Sequence, residues 1–523
     1  MNLFKNKPAC LAVFLPYFVG LYTVLNFLET NISETHPMEA MPLFLCAFFY
    51  TGIVFFVIDK FYLNLFKSAL MSAIFVFFSI YWQVYFNFFD EIIGGGLSFP
   101  LFTSLFFLFF SFVSYVIFQS KFSFEIAVNF SATAFGIAFF ISLSNIVFYE
   151  IERKSSESLL QNITNEEPVK LDFIGKKRNI FYIILDRYAD QETLSIEYNY
   201  DNSGFIEFLR GEGFFVAEKS KANYLKTAQS LSSSLNMVYH SFTGTQIPAD
   251  KSDWTPFFQL IKENRVVSIL KQMGYKYIHL GSWWPATAEH PMADENYRSN
   301  FFSQFELRFL HRSILKPLLQ LFHNRESRQS VDSDQCLRVP RKFARLRELA
   351  KNSEPTFVFA HFLLPHDPFV FDETGRCRNT EELKTLSVEQ GYVSQLRYAN
   401  KMVKELVSEI SLKSGLKPII ILQSDEGPFP TRYRLNELKF QWDEALDQEL
   451  RKKMGILNAY YFPEVNSEIF YDNITPVNSF RVLFDSYFDA DFPLLPDENY
   501  AFPNANNIYD FFEITETVRR VHQ

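Results

Sequence analysis

The sequence predicts an N-terminal five-helix transmembrane region followed by an α/β domain with a mostly parallel sheet. Two patterns carry that reading. Residues 8–28, 40–58, 68–89, 92–120 and 126–149 contain no Asp, Glu, Lys or Arg, and each meets the roughly 20 residues needed to cross a bilayer core. From residue 179 onward, short apolar runs end abruptly in polar side chains and alternate with helical patterns, the signature of strands and helices in a parallel α/β sheet. A length of 523 residues suits more than one domain.

The spans are expected at about 8–28, 40–58, 68–89, 99–118 and 126–149, making residues 1–150 the membrane region. A cleaved signal peptide has one short apolar stretch, so repeated long ones exclude it. Lys5 and Lys7 precede the first span, Lys60 and Lys67 lie between the second and third, and Lys121 lies between the fourth and fifth, whereas the other two loops carry no Lys or Arg. By the positive-inside rule this predicts a cytoplasmic N-terminus and, after an odd number of spans, a periplasmic or extracellular C-terminal domain in the inner or plasma membrane. No ionisable residue lies inside a span, which favours Asn26, Gln83 and Asn87 as packing contacts between helices over a transport path. Gly94, Gly95 and Gly96 predict an outer turn.

Residues 151–178 turn polar and read as a linker, and 179–523 as the extracytoplasmic domain. Its expected strands are 179–185, ending at Asp186; 275–280, ending at Gly281 and Ser282; 356–360, ending at His361; and 418–422, followed by Ser424, Asp425 and Glu426. Helical patterns at 343–351 and 392–410 intervene. Ligands of such sheets bind at the carboxyl ends of strands, so these polar residues are expected along one edge. His279, inside a strand, reads as a buried structural residue.

Asp186, Asp425 and Glu426 would be three carboxylates crowded at one edge, costly without a counter-charge. One remedy is a divalent cation, and all-oxygen ligands favour Mg²⁺, Mn²⁺ or Ca²⁺ over Zn²⁺. The other reading is that the acids cap helices, and spacing alone does not separate the two. The net charge of −9 excludes nucleic acid as a partner, since phosphate backbones need a basic surface.

Four motifs in order, ILDRYAD at 184–190, KTAQSLSSSLNM at 226–237, HFLLPHDPF at 361–369 and LQSDEGP at 422–428, resemble the sulfatase-like branch of the alkaline phosphatase superfamily. That branch includes sulfatases, phosphoethanolamine transferases and lipoteichoic acid synthases. The resemblance implies an alkaline phosphatase/sulfatase-like fold and an enzyme, with Asp186 and Asp425 as metal-binding acids. Glu426 stands where the family has His, a departure that puts zinc in doubt, and Lys226 could offset its charge. Thr227 aligns with the Cys that sulfatases oxidise to an aldehyde. Thr cannot give that aldehyde, and phosphotransferases of the superfamily use Thr directly. The resemblance therefore implies Thr227 as nucleophile and as a metal ligand with Asp186, Asp425 and Glu426, holding one divalent cation, Mn²⁺ or Mg²⁺ ahead of Ca²⁺ or Zn²⁺. A Thr before a Ser-rich run is also a common helix cap, and Ser230 and Ser232 are competing nucleophiles.

His361 and His366, with Pro365 and Pro368 shaping the turn, are implied to contact the transferred group or protonate the leaving group. Trp283 and Trp284 follow a strand end and either wall a glycan or lipid headgroup or pack in the core. Arg481 is a candidate phosphate holder. Cys336 and Cys377 flank the HFLLPH strand, which permits a disulfide.

The expected function is that of a membrane-anchored, metal-dependent phosphotransferase or hydrolase, moving a phosphoester group from a phospholipid headgroup to a surface glycan or to water. Two alternatives are a sulfuric or phosphoric ester hydrolase with no lipid donor, and a catalytically weakened scaffold of the cell envelope.

Overall fold

The computed structural model describes residues 7–164, 175–241, 247, 250–297, 302–316, 333–413 and 416–520. The chain divides into two compact units, residues 1–152 with 302–324, and residues 153–301 with 325–523.

The first unit is helical: α1 (Lys7–Glu29), α2 (Met41–Tyr62), α3 (Leu65–Ile80), α4 (Trp82–Ile92), α5 (Phe99–Gln119) and α6 (Glu125–Thr164). Among the described residues, four helices are long and apolar enough to cross a membrane. A fifth span exists only if α3 and α4, bent by 65° at Tyr81, count as one. The span expected at 68–89 therefore runs across a break. Trp82 and Phe86 of α4 pack against Phe99 and Phe102 of α5, while α4 ends in Asp90 and Glu91, so it is an amphipathic helix and not a continuation of an apolar rod. Gln83 donates to Asn87 at 2.6 Å, within one helix and not between two. Gly20 lets helices approach closely, since a Cβ there would fall 2.4 Å from the Thr51 hydroxyl. Gly94, Gly95 and Gly96 all have φ between 80° and 92°, a turn only glycine makes without strain. The described residues 302–316 belong with this unit; Phe305 stacks on Phe27 with ring centroids 4.8 Å apart. The linker expected at 151–178 is helical through Thr164 as a continuation of α6, and its residues 165–174 lie outside the described residues.

The second unit is built on a seven-stranded sheet in the order β2-β7-β6-β1-β5-β3-β4. The strands are β1 (Ile180–Leu185), β2 (Phe215–Val216), β3 (Lys276–Leu280), β4 (Glu295–Asn296), β5 (Thr356–Phe362), β6 (Ile419–Gln423) and β7 (Asn458–Tyr461). β6, β1, β5, β3 and β4 are mutually parallel, and β7 pairs antiparallel with both β6 and β2. All six residues of β1 are buried, because a central parallel strand is covered on both faces. Ile180, Tyr182 and Ile184 join one apolar cluster with Phe357, Phe359, Ile419 and Ile421. Phe181, Ile183 and Leu185 join the other with Val358, Ala360, Ile420 and Leu422. Each strand thus alternates between two cores.

His279 lies in β3, 1 % exposed. Its ring nitrogens meet the Tyr277 hydroxyl at 2.7 Å and the Thr287 carbonyl at 2.9 Å. Burial lowers its pKa from 6.5 to about 3. Below pH 6.5 the unfolded chain takes up a proton there that the folded chain refuses, so stability falls as pH drops from 6.5 toward 3, by up to about 1.4 kcal/mol per pH unit. His279→Gln should reduce the pH slope of stability between pH 6 and 4.5 by about one proton, measured by urea unfolding of the full chain in detergent. An unchanged slope would contradict this.

Candidate active site and metal centre

Because β1, β5 and β6 run parallel, their carboxyl ends share one edge. Asp186 follows β1 directly, and its N–H donates to the Phe362 carbonyl at 2.9 Å, keeping it paired with β5. The register sets His361 of β5 beside Ile184. Asp425 lies two residues past β6. One ligand atom from each of Asp186, His361 and Asp425 falls within 4.8 Å of the other two, and Asp186 Oδ2 is 3.7 Å from His361 Nε2. All three side chains are buried.

Asp186 Oδ1, His361 Nε2 and both Asp425 oxygens find no hydrogen-bond partner among the described residues. Bare buried polar atoms cost about 1–3 kcal/mol each, so four at one point need a further partner. Burial, reinforced by Glu426, raises the Asp186 carboxyl despite Arg187, and burial with the Asp186 charge raises Asp425. Two carboxylates and an imidazole nitrogen fit a divalent cation, which would supply the missing charge.

The His361 ring is oriented for that role. Its Nδ1 is 2.8 Å from the Thr287 hydroxyl, itself 2.9 Å from the Ser282 hydroxyl, which leaves Nε2 toward Asp186. Buried Lys342 donates to the His361 carbonyl and, at 2.9 Å, to that of Gly281. Burial lowers the His361 pKa to about 4, and a neutral imidazole is the ligating form.

Thr227 is the first residue of the helix Thr227–Asn236. The cap position is Lys226, and no side chain caps this helix, so the Thr227 hydroxyl is not consumed as a cap. It lies close enough to Asp425 to moderate the rise in that carboxyl's pKa. Ser230 and Ser232 are otherwise engaged. Ser230 donates to the Tyr224 carbonyl at 3.1 Å, and Ser232 donates to the Ala228 carbonyl at 2.6 Å and meets His240.

Glu426 lies outside the three-residue group, although the sequence suggested it as a ligand. Its Oε1 accepts from Lys453 at 2.8 Å and from Arg187 at 3.0 Å, while its buried Oε2 finds no hydrogen-bond partner among the described residues. Against the desolvation of burial, these two cations hold its carboxyl below the usual range. Gly427 permits this, since a Cβ there would sit 2.4 Å from the Lys452 carbonyl and displace the turn carrying Lys453. Lys453, Lys226 and Arg187 lie 3.5, 4.2 and 4.3 Å from the centroid of the Phe429 ring. Lys226 also contacts the Tyr433 hydroxyl and Glu437, and burial lowers its pKa.

Arg187, at φ 63°, occupies a region costly for a residue with a side chain. It bridges Glu426 and Asp367, and Asp367 also accepts from Arg434 at 2.9 Å. His366, next in the chain, is half-buried against the Asp367 carbonyl. Burial and then Arg187 push its pKa well down, so it is neutral at pH 7 and placed to hydrogen-bond rather than to donate a proton outright. Trp283 meets the His366 ring edge-on at 6.5 Å, and Trp284 packs on Phe258 and His361. Arg481 is not brought into this group: it is buried and donates to the Met237 carbonyl at 2.9 Å and the Pro493 carbonyl at 2.7 Å. Cys336 and Cys377 form a disulfide.

Sequence reasoning passed over Arg187, Lys453, Thr287 and Lys342. Arg187 carried a signal in its position directly after a strand-end acid. Lys453, within the run RKKM, and Lys342, within the run PRKF, carry no such signal in the sequence.

Residues 178–449, just over half of the chain, match the family model described as Sulfatase. No curated protein matches. Among solved structures, the C-terminal periplasmic domain of EcEptC from Escherichia coli, in complex with Zn, is 12 % identical, with 66 % of this chain and 95 % of that chain covered and a TM-score of 0.43. An alkaline phosphatase superfamily protein from Vibrio parahaemolyticus is 11 % identical over 70 % of this chain and 84 % of that chain, TM-score 0.41. The integral membrane lipooligosaccharide phosphoethanolamine transferase A from Neisseria meningitidis is 10 % identical over 91 % and 94 %, TM-score 0.38.

Proposed function

The chain belongs to the sulfatase family, and from that premise we propose that it transfers a phosphoester group from a phospholipid headgroup to a surface glycan or to water, outside the cytoplasm. Enzymes of this family act on sulfate or phosphate esters, and the observation that favours phosphorus is Thr227. It stands free of capping duty beside Asp425, in place of the oxidisable Cys of sulfatases.

Asp186, His361 and Asp425 would hold the cation, with Thr227 beside them. The imidazole nitrogen widens the choice expected from oxygen ligands, so Zn²⁺ and Mn²⁺ become suitable alongside Mg²⁺. A divalent cation bound there would supply charge to a developing oxyanion and acidify a neighbouring hydroxyl. In the first step the Thr227 oxygen forms a bond to phosphorus and the bond from phosphorus to the glyceryl oxygen breaks. The Thr227 proton is lost, and the departing diacylglycerol takes up a proton. The threonyl headgroup-phosphodiester so formed is then attacked by the acceptor hydroxyl, restoring Thr227. Lys226 and Arg187 lie beside the site and supply positive charge toward the phosphoryl oxygens. His366 hydrogen-bonds the leaving or entering oxygen. Tethering places enzyme and lipid donor in one membrane plane, which raises their effective concentration. Orientation with the domain outside the membrane is supported by the loop lysines and by the Cys336–Cys377 disulfide, since such bonds persist in oxidising compartments.

The full chain, incubated with a phospholipid donor in mixed micelles and acid-quenched, should carry the headgroup phosphate on Thr227 by peptide mass spectrometry. Modification of Ser230, or turnover of an aryl sulfate with no adduct from any phospholipid, would overturn the reading.

A further inference from the structure

Three leucines of the sheet-bearing unit stand apart from the rest of its surface. Leu435 and Leu438 are each 82 % exposed and Leu446 62 %, while no other large apolar residue described in that unit exceeds 51 %. Isolated exposed leucines need no explanation; the three most exposed ones lying within twelve residues of one another do.

Their base is rigid. Phe440 and Trp442 are buried and pack with Tyr433, at ring distances of 4.8 to 5.4 Å. Arg432 lies 5.0 Å over Phe440 and donates to Glu449 at 2.7 Å. Leu435 and Leu438 therefore project from a segment pinned at both ends by packed aromatic rings. That segment is continuous with the candidate site: Tyr433 and Glu437 contact Lys226, and Arg434 pairs with Asp367.

We infer that the segment carrying Leu435 and Leu438 docks into the lipid surface beside the active site and delivers membrane-embedded substrate to it. Three observations select lipid as the occupant. Four helices among the described residues of the same chain are long and apolar enough to cross a membrane, so the domain is tethered to a bilayer. Three leucine tips are smaller than a stable protein interface requires, but they suit shallow insertion at the boundary between headgroups and acyl chains. The exposed cation Lys439 stands directly after Leu438, as interfacial anchors do with lipid phosphates. The inference goes beyond the transfer chemistry, and its first test requires no turnover.

The full chain carrying Cys10→Ser, Cys46→Ser and Leu438→Cys, labelled with an environment-sensitive fluorophore and placed in nanodiscs of phosphatidylethanolamine and phosphatidylglycerol, should show blue-shifted emission quenched by lipids brominated high on the acyl chain. A label at Lys384→Cys, on an exposed helix, should show neither. Water-like emission at both positions overturns the inference, as does a blue shift that instead follows protein concentration in lipid-free detergent, the mark of a second copy. As a second arm, Leu435→Asp with Leu438→Asp should raise KM for bilayer-embedded phospholipid on the order of tenfold, with kcat on a water-soluble short-chain analogue unchanged. An unchanged KM on the bilayer substrate also overturns it.

Discussion

Asp425→Asn should abolish binding of the divalent cation, with affinity falling by at least about a hundredfold. Both Asp425 oxygens are buried, grouped with Asp186 and His361 and with Thr227 beside them. The substitution removes one of only two formal charges in that ligand set and replaces a ligating oxygen by an amide nitrogen that cannot coordinate. Metal content of the purified full chain, with titration calorimetry, reads this directly. Glu426→Gln supplies the contrast. Because Oε1 of Glu426 is held by Lys453 and Arg187 and the residue lies outside the three-residue group, that variant should retain the cation while losing a buried ion pair, a loss of roughly 3–5 kcal/mol in stability. Retention by Asp425→Asn together with loss by Glu426→Gln would return Glu426 to the ligand set and displace the assignment made here. Stripped of metal, Asp425→Asn should be no less stable than the stripped parent, since it relieves repulsion between two buried acids.

Thr227→Ala should lower turnover by about four to six orders of magnitude, as removal of a nucleophile does elsewhere, without loss of fold. The side chain is half-buried at the first position of a helix that no side chain caps, so only local contacts are lost. Thr227→Ser should keep measurable activity, because the hydroxyl stays in place with extra rotational freedom. The two variants separate chemistry from structure: kcat with a phospholipid donor should split them, while far-ultraviolet circular dichroism and cation content should not. Full activity in Thr227→Ala would remove the residue from the mechanism.

Most of the sheet was readable because its central strands are apolar on both faces. β1, β3, β5 and β6 appear in the sequence as short apolar runs that stop at polar residues, and three of those stops bring in Asp186, His361 and Asp425, although β5 itself runs on through His361 to Phe362. The strands that escaped notice are short. β2 and β4 have two residues each, and β7 places Asn458 in the core, where it donates to Ser220 and to the Ile474 carbonyl. No periodicity survives in so few positions. The break at Tyr81 was invisible for a different reason. Charge-free composition reports solubility in lipid, not helix continuity, and neither proline nor glycine marks the bend.

At the site, the identity of the acids was legible and their division of labour was not. Asp425 and Glu426 are adjacent in sequence and chemically alike, yet one faces Asp186 and the other a lysine 27 positions later. What separates them is the approach of Lys453, allowed by the close backbone contact at Gly427. Likewise His361 reads as an acid or base until Thr287, on another segment, is seen to hold its Nδ1. Arg481 looked available because a cation near a motif usually is; two backbone carbonyls account for it instead.

The bond between Cys336 and Cys377, 41 residues apart, closes a ring of chain that contains β5 with His361 and the turn after it with His366. Ring closure of that size restricts the unfolded ensemble by an amount worth about 4 kcal/mol, much of the margin of an ordinary domain. Oxidation is then a step in maturation: a chain retained in a reducing cytosol, or purified in thiol reductant, would hold its site histidines on an open tether. Under the external placement proposed above, formation of this bond would precede activity.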